Sequence, residues 1–96
     1  MRRKKVFFLI TMLLFAVQLT AANRKFTLVI DAGHGGTDHG APGAYSKEKD
    51  LTLKYALAFG KYVEDNCPDV RVIYTRKTDV FVTLAGRADI ANKANA

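Results

Sequence analysis

Four segments of the chain carry an apolar pattern strong enough to predict an element after the leader, and their order sets the fold class. Phe26 to Asp31 (FTLVID) is a continuous apolar, β-branched run, as expected of a strand buried on both faces in a parallel sheet. From Lys47 to Asn66, Leu51, Tyr55, Ala58, Phe59, Tyr62 and Val63 recur at helical spacing and predict a helix burying that stripe. Ser46 is its predicted N-cap, and Asn66 with Pro68 ends it. Val70 to Thr75 (VRVIYT) reads as a second strand, Arg76 to Val82 as a polar connection, and Thr83 as the cap of a helix from Leu84 to about Ala94. The order β-loop-α-β-α predicts an α/β fold built on an open mixed, mostly parallel sheet. Two strands leave both sheet edges open, so residues 23–96 are expected to be the N-terminal part of a longer domain.

The start of the chain has a different pattern. Arg2, Arg3, Lys4 and Lys5 precede twelve uncharged residues, Val6 to Val17, of which only Thr11 is polar, and Thr20-Ala21-Ala22 follows. A basic segment, a short apolar run and small residues in that order mark a secretory signal peptide, here residues 1–22 with cleavage after Ala22. Twelve residues are too few to span the bilayer, which takes about 20. An exported protein without a stable membrane anchor is expected, in the periplasm, the cell envelope or outside the cell.

Removing the leader changes the charge argument. The chain carries +6 and the leader holds four of those charges, so about +2 belongs to the rest. Lys47, Lys49, Lys54 and Lys61 read as a solvated helix face, and the basic stripe that a nucleic-acid partner wants is missing. Cys67 is the only cysteine, which excludes an internal disulfide. Beside Pro68, it reads as a small structural residue.

The candidate chemistry lies between the first strand and the first helix. Gly33 to Gly43 is a glycine-rich loop at the carboxyl end of the strand, where open α/β sheets bind ligands. Gly33-His34-Gly35-Gly36 begins a dinucleotide fingerprint that Thr37-Asp38 breaks. No Gly-Lys-Ser/Thr follows, so phosphate binding is disfavoured. A metal fits better, because zinc takes imidazole and carboxylate ligands. His34 is one candidate ligand. Glu48, in the first turn of the helix, is the other, although the helix macrodipole alone also favours an acid there. His39 reads as an exposed loop residue. Asp31 could either orient His34 or make a hydrogen bond at the strand end.

Ile30-Asp-Ala-Gly-His-Gly-Gly-Thr-Asp-His-Gly-Ala41, followed by Lys47-Glu-Lys-Asp-Leu51, resembles the zinc-dependent N-acetylmuramoyl-L-alanine amidases. Tyr74-Thr-Arg76, Leu84-Ala-Gly-Arg87 and Ile90-Ala-Asn-Lys-Ala-Asn95 are similar to later landmarks of that family, so the likeness runs from about Phe26 to Ala96. The resemblance implies a mixed α/β sheet with helices on both faces and a Zn²⁺ held by His34, Glu48 and a second histidine. A late glutamate is the family's general base. That histidine and glutamate are expected beyond Ala96, which leaves no catalytic base in this chain and predicts that the 96 residues are inactive alone. The implied substrate is peptidoglycan, cut at the amide between N-acetylmuramic acid and L-alanine. Two rivals stay open: a non-catalytic peptidoglycan-binding module of the same fold, and a different exported zinc peptidase or amidase.

Overall fold

The structure is a computed structural model that describes residues 25–96; the leader and its cleavage site lie outside the described residues. Four elements follow one another: strand β1 (Phe26–Ile30), helix α1 (Glu48–Asn66), strand β2 (Val70–Tyr74) and helix α2 (Leu84–Lys93). The two strands pair in parallel, with Phe26 opposite Val70 and Ile30 opposite Tyr74, and α1 is the crossover between them. This is the α/β arrangement the pattern predicts. Among the described residues, no helix is long and apolar enough to cross a membrane.

The strands fall within one residue of their predicted bounds, because β-branched runs leave little choice. Their burial is another matter. Phe26 is exposed and Thr27 to Ile30 are half-buried, so the expectation of a strand buried on both faces is corrected. Among the described residues the buried apolar set is only Ala32, Ala56 and Val63.

Helix α1 also turns a face other than the predicted one. Leu51, Tyr55, Ala58, Phe59 and Tyr62 are exposed, and of the expected stripe only Val63 is buried. The buried residues are Lys49, Ala56, Gly60 and Val63, at i, i+7, i+11 and i+14. Small residues win because β2 comes in close: a Cβ on Gly60 would overlap the Tyr74 ring. Large aromatics cannot occupy a contact made at backbone distance.

The cap is corrected as well. Lys47, not Ser46, is the N-cap of α1, and it makes no side-chain cap hydrogen bond. The first helical N–H groups find backbone partners instead, Glu48 N donating to Ala41 O and Lys49 N to His39 O, both at 3.1 Å. Orphan donors at a helix start need acceptors, and here the glycine-rich loop supplies them. The same two bonds dock that loop onto the helix. Helix α2 follows its prediction, with Thr83 Oγ1 accepting from Gly86 N at 2.9 Å.

Candidate metal centre

β1 ends at Ile30, and the chain enters the glycine-rich loop with Ala32 buried beneath it. His34 takes φ 63°, and Gly35, Gly36 and Gly40 also have positive φ, at 124°, 57° and 67°. A left-handed conformation costs a residue with a Cβ about 1–2 kcal/mol, so His34 keeps it only where its surroundings impose it. They do so through buried cations. Arg87 Nη1 donates to Ala32 O at 2.7 Å and Nη2 to His34 O at 2.9 Å. Arg76 Nε donates to Ala32 O at 3.0 Å and Nη2 to Gly33 O at 2.8 Å. Three successive carbonyls of the loop are thus held by two guanidinium groups, which the planar fork of arginine suits.

A third cation completes the frame. Lys49 Nζ donates to Gly36 O at 3.1 Å and to Asp79 Oδ2 at 2.9 Å, while Asp79 Oδ1 accepts from Gly36 N at 2.8 Å. Lys49 is 8% exposed, which corrects its placement on a solvated helix face. Arg76, at 4% exposed, likewise does not belong to a polar surface connection. The sequence reading gave Arg76 and Arg87 only as landmarks of a resemblance and Lys49 as solvated; that the three hold the loop is what it missed. The loop carbonyls they hold lie 13 to 55 residues away, and no local pattern reports that.

The imposed turn carries His34 to Glu48. His34 Nε2 lies 2.7 Å from Glu48 Oε1 and Nδ1 lies 3.0 Å from Asp38 Oδ2. Glu48 sits at the start of α1, where the dipole favours a carboxylate, and its Oε2 accepts from Ala41 N at 2.8 Å. That bond, followed by the one from His34, holds the Glu48 carboxyl below its ordinary pKa. The hydrogen bonds to Asp38 and then to Glu48 raise the pKa of the His34 imidazole above its ordinary value. Gly40 closes the arrangement: a Cβ there would come to 2.8 Å from both Glu48 Cβ and His34 Cδ2. The backbone therefore passes between the two side chains where only glycine fits.

Asp31 does not touch His34. Its Oδ1 accepts from Thr75 Oγ1 at 2.8 Å and from Arg87 Nη1 at 2.5 Å, so the strand-end reading of Asp31 is the one the structure shows. Burial pushes its carboxyl up, but the bonds from Arg87 and Thr75 and the charges of Arg87 and Arg76 outweigh that and lower its pKa. Asp38 contacts the imidazole instead. His39 is exposed, and only its backbone serves the loop. Cys67 ends α1, its N–H donating to Val63 O at 2.8 Å, and it is half-buried.

An imidazole and a carboxylate are the donors zinc prefers, and two donors of one tetrahedral zinc stand a little over ~3 Å apart. The 2.7 Å between His34 Nε2 and Glu48 Oε1 is close to that separation. Both side chains are partly exposed, 31% and 42%, so an ion has a path. A cavity of about 400 Å³ lies against His34, with Phe81, Val82 and Leu84 on its apolar side. The pair fits a metal, but among the described residues no group of three His, Cys, Asp or Glu side chains gathers around one point.

Comparison with known proteins agrees with the motif. The family model for N-acetylmuramoyl-L-alanine amidase matches residues 28–96. A probable N-acetylmuramoyl-L-alanine amidase, AmiB of Haemophilus influenzae, is 35% identical over 98% of this chain and 22% of its own length. The sporulation-specific amidase of Bacillus subtilis is 40% identical over 68% of this chain and 26% of its own. The chain thus spans about a quarter of the length of these curated relatives. Among solved structures, an N-acetylmuramoyl-L-alanine amidase from Clostridium difficile 630 superposes with a TM-score of 0.72 at 33% identity, over 76% of this chain and 40% of that one. The amidase AmiC2 of Nostoc punctiforme gives 0.66 at 42% identity, over 74% and 38%.

Proposed function

This chain belongs to the N-acetylmuramoyl-L-alanine amidase family, and we propose that it contributes the His34 and Glu48 ligands of a zinc centre that hydrolyses peptidoglycan. The bond cut is the amide joining the lactyl group of N-acetylmuramic acid to L-alanine. The observation that carries this reading is the 2.7 Å approach of His34 Nε2 to Glu48 Oε1 across fourteen residues of sequence. Bound zinc supplies Lewis-acid chemistry toward an amide carbonyl and lowers the pKa of water to about 7. The chain's own residues prepare the place for it. Arg76, Arg87 and Lys49 fix the loop, Glu48 projects from a rigid helix end, and the cavity beside Phe81 and Leu84 offers a substrate-sized space.

The basic, apolar and small-residue leader supports export, which puts the protein where peptidoglycan is. The 96 residues alone bind zinc weakly and do not turn over substrate. A catalytic zinc takes three protein ligands, and the only other histidine, His39, is exposed. The only other glutamate is Glu64, sixteen residues further along α1 or roughly 24 Å at 1.5 Å per residue. It accepts instead from the Tyr74 hydroxyl at 3.4 Å.

Zinc binding by the full chain, measured by chelator competition, is expected to disappear in His34→Ala, to weaken in Glu48→Ala and to persist in His39→Ala. Purified peptidoglycan incubated with the chain should yield no new alanine amino termini. A longer form that adds a second histidine and a glutamate should release them in a chelator-sensitive way. Metal retained by His34→Ala, or turnover by the chain itself, would refute the assignment.

A further inference from the structure

We propose that Tyr45 is a substrate-binding residue of this centre, its ring stacking on the pyranose of N-acetylmuramic acid while the lactyl amide lies at the metal. The proposal rests on the reading of His34 and Glu48 as ligands. It adds a group that recognises the sugar, on a segment that the metal site itself does not account for.

Tyr45 stands at the tip of a short closed turn. Pro42 and Lys47 bridge its two arms in antiparallel fashion, and Gly43 N donates to Ser46 O at 2.8 Å. The closure is tight, since a Cβ on Gly43 would come to 2.9 Å from Ser46 O. Both arms end on Glu48: Ala41 N donates to Glu48 Oε2 at 2.8 Å, and Glu48 N donates to Ala41 O at 3.1 Å. The turn is therefore anchored to one of the two candidate ligands. Backbone closure of this kind presents a side chain without help from that side chain, and Tyr45 gives none. It is fully exposed, more so than any other large apolar residue among those described. A tyrosine that packs on nothing adds nothing to the fold.

Chemistry and reach both fit the sugar. A pyranose has an apolar C–H face and a rim of hydroxyls, and tyrosine meets it with an apolar ring and one polar tip. Three bonds of the lactyl ether separate that ring from the scissile carbonyl, or about 4–5 Å at ~1.5 Å per bond. Tyr45 precedes Glu48 by three residues, which keeps its Cα within about 11 Å of the ligand's. A tyrosine side chain spans much of that interval.

The test compares two ligands that share the lactyl amide: N-acetylmuramoyl-L-alanine, and lactoyl-L-alanine, which lacks the sugar. Their affinities for the zinc-loaded full chain are measured by NMR titration. The sugar-bearing ligand is expected to bind about 3–10-fold more tightly, the size of one aromatic contact, and to shift the ring resonances of Tyr45. Tyr45→Ala should erase that ratio and Tyr45→Phe should keep it. Both variants should match the parent in melting temperature and zinc affinity, because the side chain touches neither the core nor the ligands. No binding of N-acetylmuramoyl-L-alanine by the parent, equal affinity for the two ligands, or a ratio that survives Tyr45→Ala overturns the proposal. A ratio lost in Tyr45→Phe overturns stacking as its cause. His34→Ala that binds zinc like the parent shows instead that the underlying ligand reading has failed.

Discussion

Gly40→Ala is the sharpest probe of the centre, because it adds one methyl group between the two candidate ligands. Gly40 has φ +67°, and its new Cβ would meet Glu48 Cβ and His34 Cδ2 at 2.8 Å and Glu48 Oε2 at 3.0 Å. The left-handed conformation costs alanine about 1–2 kcal/mol, and overpacking a tight site costs about 1–3 kcal/mol more. Neither neighbour can give way freely. Glu48 is fixed by the helix and by Ala41 N, and the His34 backbone by Arg87. A total near 2–5 kcal/mol corresponds to a fall in melting temperature on the order of 10–40 °C for a domain this small. If even half of that strain is relieved by moving His34 away from Glu48, zinc affinity falls about tenfold, since 1.4 kcal/mol is a factor of ten.

Gly33→Ala is the matched control in the same motif. Its φ lies outside the left-handed region, and nothing lies within 4 Å of a Cβ built there. It should be neutral or stabilise by up to about 1 kcal/mol, through a less flexible unfolded chain. Thermal unfolding of the metal-free proteins and chelator competition for zinc measure both variants. Gly40→Ala matching the parent in stability and affinity, or Gly33→Ala proving the more damaging of the two, would refute the account of the loop.

Gly60→Ala in the middle of α1 should destabilise, even though alanine is the better helix former by about 1 kcal/mol. Its Cβ would overlap the Tyr74 ring, and a rise in denaturation midpoint would show that the strand does not pack there. Acid should loosen the loop frame through Asp31 and Asp79, both of which titrate below their ordinary 3.8. Folded pKa values below the unfolded ones mean that this stability is present above about pH 4 and is lost as pH falls through the depressed folded values. Denaturant titrations of the metal-free chain across that range should show the decline. Asp79→Asn should flatten it, and an unchanged slope in that variant would remove Asp79 from the explanation.

The parts of this fold that the sequence made legible are those set by neighbours along the chain. FTLVI and VRVIY could hardly be other than strands, Thr83 lies three residues before the Gly86 N–H it caps, and a loop after a strand points to the ligand end of an α/β sheet. The helix face was not legible in the same way. Leu51, Tyr55, Phe59 and Tyr62 form the larger apolar stripe, yet the contact is made by Ala56 and Gly60, where the sheet can approach. Ser46 looked like a cap because hydroxyl caps are a side-chain signal; the actual acceptors, Ala41 O and His39 O, are backbone and leave no mark in composition. Lys49 shows the same gap. A lysine on an amphipathic helix reads as solvated until a carbonyl and a carboxylate brought from elsewhere occupy its ammonium group.

Why the loop needs three buried cations follows from the conformation it holds. His34 in the left-handed region costs about 1–2 kcal/mol, whereas each hydrogen bond from a charged donor contributes about 1.5–3 kcal/mol. The bond from Arg87 to His34 O is therefore enough by itself to stabilise the turn, and Arg76 and Lys49 make the neighbouring peptides follow. Positive charges beside a site for a dication would oppose binding if they faced it bare. Here each guanidinium or ammonium is turned onto loop carbonyls, and Asp31 and Asp79 neutralise Arg87 and Lys49 directly. Around the imidazole the charges are of the other sign, with Glu48 at Nε2 and Asp38 at Nδ1. The backbone frame is cationic and the side chains around His34 are anionic. That separation lets one short loop be rigidly held while two carboxylates stay beside the imidazole.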